Sequence, residues 1–213
     1  MEESTTKEKI LKKVRNALIS KLENPFANID FTKPVYQKLK EDPTIQFAIN
    51  LNEAGGTFVY CENEKAIVEN LKLLKEQNNW NSIHCIDERL TGFLTKEHVN
   101  VDDDPEHFLE MKVGITRCEY LISRFGSIMV SSAILSGRRM FAFPEVHIVV
   151  AAASQVVPEL KDALEGMTKN YEGRFPSQVT VITGPSRTAD IEKTLVMGAH
   201  GPKELYVFMV DNS

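Results

Sequence analysis

Cysteine is scarce in this chain: its 213 residues carry Cys61, Cys85 and Cys118, with no Cys-x-x-Cys pair. That spacing argues against an iron–sulfur cluster or a four-thiolate zinc site held by this chain. An odd, sparse set also fits reduced cytosolic thiols better than a disulfide framework. No apolar run approaches the ~18 residues of a membrane-spanning helix. The opening Met1-Glu2-Glu3-Ser4-Thr5-Thr6 shows no apolar leader, so the expected location is the cytoplasm. A basic surplus is missing as well. The net charge of −5 has the wrong sign for a nucleic-acid binder. There is no Walker loop, Gly-x-Ser-x-Gly elbow or Gly-x-Gly-x-x-Gly turn, which removes the commonest nucleotide-hydrolysis, esterase and dinucleotide readings.

What is present is ordinary globular material, 42% apolar and 26% charged. A chain of this length buries about 70% of its unfolded surface and needs no staples. Thr5 followed by Glu8 is a capping-box pattern. After it, Ile10, Leu11, Val14, Leu18 and Leu22 recur at helical spacing, which predicts an amphipathic helix over 6–22, ended by Pro25. Residues 1–34 therefore read as a leading helix and its connection, and 35–213 as one domain.

Within that domain a helix over 44–54 closes at Gly55-Gly56. A strand at 57–60, a helix over 64–77 and a strand at 82–86 follow. Asp102-Asp103-Asp104-Pro105 reads as a solvated turn, lacking the ligand spacing and glycine of a calcium loop. Further strands are expected at 112–116, 127–130, 146–151, 179–182 and 205–210, with helices over 158–171 and 186–195. Strand–helix alternation of this kind predicts an α/β fold in three layers. Its sheet is expected to be mostly parallel with helices on both faces, plus a small antiparallel portion around 126–150.

Ligands of open parallel sheets bind at loops beyond the strand ends. The richest such loop runs Thr183-Gly184-Pro185-Ser186-Arg187-Thr188-Ala189-Asp190. Read as strand, glycine, hydroxyls and arginine at a helix start, Gly184, Ser186, Arg187 and Thr188 become candidates for holding an anion. The competing reading has Ser186 or Thr188 merely capping the helix and Arg187 paired with Asp190 or Glu192. Downstream, His200 sits between glycines in Gly198-Ala199-His200-Gly201-Pro202, either free to meet a ligand and suited to proton transfer or simply a turn histidine in solvent. Arg138 and Arg139, beside Gly137, either hold an anion, with Arg138 as the candidate, or form a surface charge pair, and Glu145 is a candidate catalytic carboxylate without a partner carboxylate. His147, inside an apolar run, reads as a hydrogen-bonded structural residue. His84, His98 and His107 share no close spacing, so no metal site emerges.

Four segments together resemble the LUD-domain family: Gly114-Ile115-Thr116, Pro144-Glu145-Val146-His147-Ile148, Gly184 to Glu192, and Gly198 to Pro202. The resemblance covers about 44–212 and is strongest after 112. It implies a fold like the sugar-phosphate isomerase (NagB/RpiA) and CoA-transferase superfamily. It also implies a part in bacterial oxidation of L-lactate to pyruvate, with iron–sulfur clusters on partner subunits and no cofactor on this chain. Members often carry an acidic residue, Thr, Gly and Thr or Ser before the strand near 127. Here Arg124-Phe125-Gly126-Ser127 keeps only the glycine and hydroxyl, so Gly126 and Ser127 join the ligand-binding candidates while Arg124 inverts the local charge. Two other functions fit the same residues. One is a stand-alone isomerase or CoA-transferase with Glu145 or Glu119 as base or nucleophile; the other is a lactate-sensing module.

Overall fold

The computed structural model describes residues 5–19, 24–30, 32–33, 37–191 and 194–211. The chain divides into two compact units, one ending at Lys38 and the other beginning at Leu39. In the first, helix α1 (Thr6–Ile19) starts at the expected capping box: Thr5 N donates to the Glu8 carboxylate at 2.8 Å and Glu8 N to Thr5 Oγ1 at 3.3 Å. None of its residues is buried. Leu22 lies outside the described residues.

The second unit opens with α2 (Pro43–Glu53), β1 (Thr57–Cys61), α3 (Glu64–Gln77), β2 (Ile83–His84), α4 (Glu88–Lys96), β3 (Val101–Asp102) and β4 (Val113–Arg117). Then come β5 (Tyr120–Ile122), β6 (Ser127–Ser131), β7 (Val146–Ala152), β8 (Val156–Val157) and α5 (Leu160–Tyr171). It ends with β9 (Val179–Ile182), β10 (Arg187–Ile191), β11 (Thr194–Met197) and β12 (Glu204–Val210). Six strands in the order β1-β12-β7-β4-β2-β3 form one sheet, and every pairing in it is parallel.

The central strands β7 and β12 are apolar almost throughout because both their faces are covered. On one face Ile115, Ile148 and Phe208 pack against Ile67 and Leu71 of α3 and Leu90 and Leu94 of α4. On the other, Val149, Val207 and Met209 meet Phe47 and Leu51 of α2 and Leu121, Ile128 and Val130 from a second sheet. That sheet runs β8-β5-β6-β9, with β6 antiparallel to both neighbours. Ala163 and Met167 of α5 pack on its Ile122 and Met129.

Two expectations are corrected. The antiparallel portion lies at 120–131 and 179–182 rather than across 126–150, because β7 belongs to the parallel sheet while β9 pairs with β6. Among the described residues of 186–195 there is no helix. They enter a two-stranded antiparallel hairpin with Thr188 opposite Val196 and Ile191 opposite Thr194. β-branched residues at these positions favour a pleated pair over a helix, in which their side chains crowd the preceding turn.

Candidate functional site

Backbone geometry builds the site. Gly184 has φ +72, and a Cβ there would come within 2.2 Å of Ala54 O, so the chain can pass only with glycine. Two residues on, Ser186 clasps the 198–202 turn. Its amide donates to Pro202 O at 2.8 Å, its carbonyl accepts from Gly198 N at 2.8 Å, and its Oγ accepts from His200 N at 3.3 Å. Gly201 lies against it, where a Cβ would sit 3.3 Å from Ser186 Cβ. The two motifs singled out in the sequence are thus one structure, held by a serine.

Opposite this clasp stands His147, the second residue of β7, fully buried. Its Nε2 is 2.9 Å from Thr116 Oγ1, while Nδ1 has no partner. Burial pushes its pKa down to about 4, so the ring is neutral near pH 7. Nε2 and Thr116 Oγ1 share one hydrogen, and Nδ1 is left to donate or to accept according to the tautomer. Arg138, after the positive-φ Gly137, closes another wall and donates from Nη2 to Ser177 Oγ. Arg138, His147, Ser186 and His200 line one cavity of about 280 Å³, with Phe141, Ile182 and Leu205 as apolar walls. A guanidinium, a neutral imidazole and a hydroxyl beside apolar walls suit a small organic anion.

Of the residues marked in the sequence, Gly184, Ser186, Arg138 and His200 meet here. The others do not. Arg187 and Thr188 begin β10, Arg187 is exposed, and among the described residues no helix begins there. Glu145 is exposed, 3.4 Å from Lys203 Nζ, and borders a separate cleft with His84 and Asp102. Gly126 (φ +59) is pressed on α2, where a Cβ would fall 2.1 Å from Leu51 N. Ser127 is buried, its Oγ 2.7 Å from Thr183 Oγ1. Both hold the second sheet in place rather than lining the cavity. Glu119 accepts from Tyr171 OH at 2.8 Å and from Ser131 Oγ.

The charge of Arg124 is answered by Glu159, whose carboxylate takes its Nε at 2.9 and 3.1 Å. His147 is the residue the sequence undervalued: it is hydrogen-bonded, as expected, but it also lines the cavity. The signal lay in its place within Pro144–Ile148. Gln178 and Thr180 also line the cavity, and nothing in the sequence marked them. Among the described residues no group of three or more His, Cys, Asp and Glu converges as a metal site.

Residues 45–210 match the family described as LUD domain. The "Lactate utilization protein C" of Halalkalibacterium halodurans is 30% identical over 202 residues, covering 85% of this chain and 87% of that protein. The "Uncharacterized protein YkgG" of Escherichia coli is 29% identical and covers 88% and 87%. A crystal structure of a DUF162 family protein from Deinococcus radiodurans superposes with a TM-score of 0.57 over 79% of this chain and 96% of that one. At 18% identity this likeness speaks for the fold alone.

Proposed function

The chain belongs to the LUD-domain family, and from that premise we propose that it serves bacterial lactate utilisation by holding a small 2-hydroxy or 2-oxo acid in the Arg138–His147–Ser186 cavity. The observation that carries this reading is one cavity lined by a guanidinium, a hydroxyl and a buried, neutral imidazole whose Nδ1 has no partner. Lactate matches that set group by group. Its carboxylate suits the Arg138 guanidinium and the Ser186 hydroxyl, its 2-oxygen suits His147 Nδ1, and its methyl suits Phe141 and Leu205. His200, exposed at the rim, is placed to exchange a proton with solvent.

On this reading the chain is a binding component. Oxidation of lactate to pyruvate releases two electrons and two protons, and iron–sulfur partner subunits take the electrons. The stand-alone isomerase or transferase reading draws no support from its carboxylates: Glu145 faces another cleft and Glu119 is engaged by Tyr171 and Ser131.

The test is lactate-dependent reduction of a dye acceptor, by the purified chain alone and then mixed with iron–sulfur partner subunits. Activity is expected only in the mixture and is expected to vanish when this chain is left out. Equal activity without the chain would overturn the proposal.

A further inference from the structure

α4 carries a glycine in its interior, Gly92, in the run Glu88-Arg89-Leu90-Thr91-Gly92-Phe93-Leu94-Thr95-Lys96. A glycine inside a helix is among the least favourable choices, because it loses the most backbone freedom on folding. Packing explains the corresponding glycine of α5: a Cβ on Gly166 would lie 2.2 Å from Tyr120 OH. Gly92 has no such reason, since a Cβ there would meet nothing within 4 Å. Gly92 instead lines a cavity of about 900 Å³, far larger than a three-carbon acid needs.

The walls of that cavity are specific. Phe108 lies on one side, its ring 4.8 Å from that of Phe143 and 5.5 Å beneath the Arg139 guanidinium. Ile86 adds apolar surface. Ser136 also lines it, 1% exposed, with an Oγ that has no partner. Arg138 borders this cavity and the smaller one alike. Exposed carboxylates of Glu88 and Asp103 stand at the edge as acceptors for hydroxyl groups.

We propose that this cavity is a second ligand site for a planar heteroaromatic ring that carries hydroxyls and an anionic group, the chemistry of a nucleotide. The ring extends the Phe143–Phe108–Arg139 cluster by stacking and cation–π attraction. The anionic group pairs with Arg138 and Arg139, and Glu88 and Asp103 accept from the sugar hydroxyls. No phosphate loop is involved: the guanidiniums replace it. Gly92 is a specificity-determining residue, kept small so that the ring can enter. The site goes beyond the lactate reading and does not depend on it.

The test is titration of the full chain with flavin mononucleotide, followed by quenching of its fluorescence, with AMP and adenosine as competitors. Saturable quenching and displacement by AMP are expected, with adenosine at least tenfold weaker. Gly92→Leu is expected to weaken flavin binding at least tenfold and Gly92→Ala less than threefold. Both variants should fold, since the position has open space, and both should bind L-lactate as the parent does. Three results would each overturn the proposal: no saturable quenching below roughly 1 mM, unchanged binding by Gly92→Leu, or adenosine competing as well as AMP. Lactate binding, measured in the same variants, separates failure of this site from failure of the lactate site.

Discussion

His147 joins two roles in one ring: Nε2 is tied to Thr116, and Nδ1 waits without a partner. The fold depresses its pKa from 6.5 to about 4. Between those values the unfolded chain binds a proton that the folded chain refuses. The stabilisation is therefore complete above the unfolded pKa and is lost as pH falls toward the folded one, by about 3 kcal/mol in all. His147→Gln cannot titrate. Urea denaturation at about pH 7 and about pH 4.5 is expected to show the parent losing clearly more stability on acidification than the variant; parallel losses would contradict the burial argument. At this scale Ser186 and the Gly198–Pro202 turn both drew notice in the sequence, and the structure joins them. The sequence misled at Arg187, whose neighbours Ser186 and Thr188 look like helix caps when read locally.

Elements are joined by pairs that single segments do not reveal. Arg124, in the turn after β5, binds the carboxylate of Glu159, the N-cap of α5, with side chains 18% and 27% exposed. Glu159 N in turn donates to Asp162 at 3.0 Å. Removing the charge leaves a largely buried guanidinium short of its partner. Glu159→Gln is expected to cost about 2 kcal/mol in urea denaturation, and the exchanged pair Arg124→Glu with Glu159→Arg to recover part of it. No loss would mean that the pair is idle. Helix α3 was legible because Ile67 and Leu71 recur on one face, and both are buried, with Asn63 as the cap. α4 was not anticipated: only nine residues long, it buries just Leu90 and Leu94. β9 reads as a strand from its own residues, but its partner β6 lies some fifty residues earlier, and local pattern carries no information about that pairing.

For the molecule as a whole, every residue of the three apolar clusters falls at position 47 or later. The unit beginning at Leu39 therefore holds its own core. A chain shortened to that start is expected to unfold cooperatively with a Tm within a few degrees of the parent. A broad or absent transition in calorimetry would show that residues 1–38 are needed for the fold. The α/β class was readable at this scale because parallel strands buried on both faces announce themselves as continuous apolar runs. The composition of the site was only half readable. Its walls come from Arg138 to Ala142, from His147, from 178–186 and from 200–205, brought together by the fold rather than by spacing along the chain.

The central claim is that the smaller cavity binds a short organic acid through Arg138. Isothermal titration of the purified chain with L-lactate and with pyruvate, repeated on Arg138→Ala, measures it most directly. Saturable binding by the parent is expected, with a loss of about tenfold or more in the variant, a cost of at least ~1.4 kcal/mol, and circular dichroism unchanged. No binding by the parent, or equal affinity in a folded Arg138→Ala variant, would contradict it.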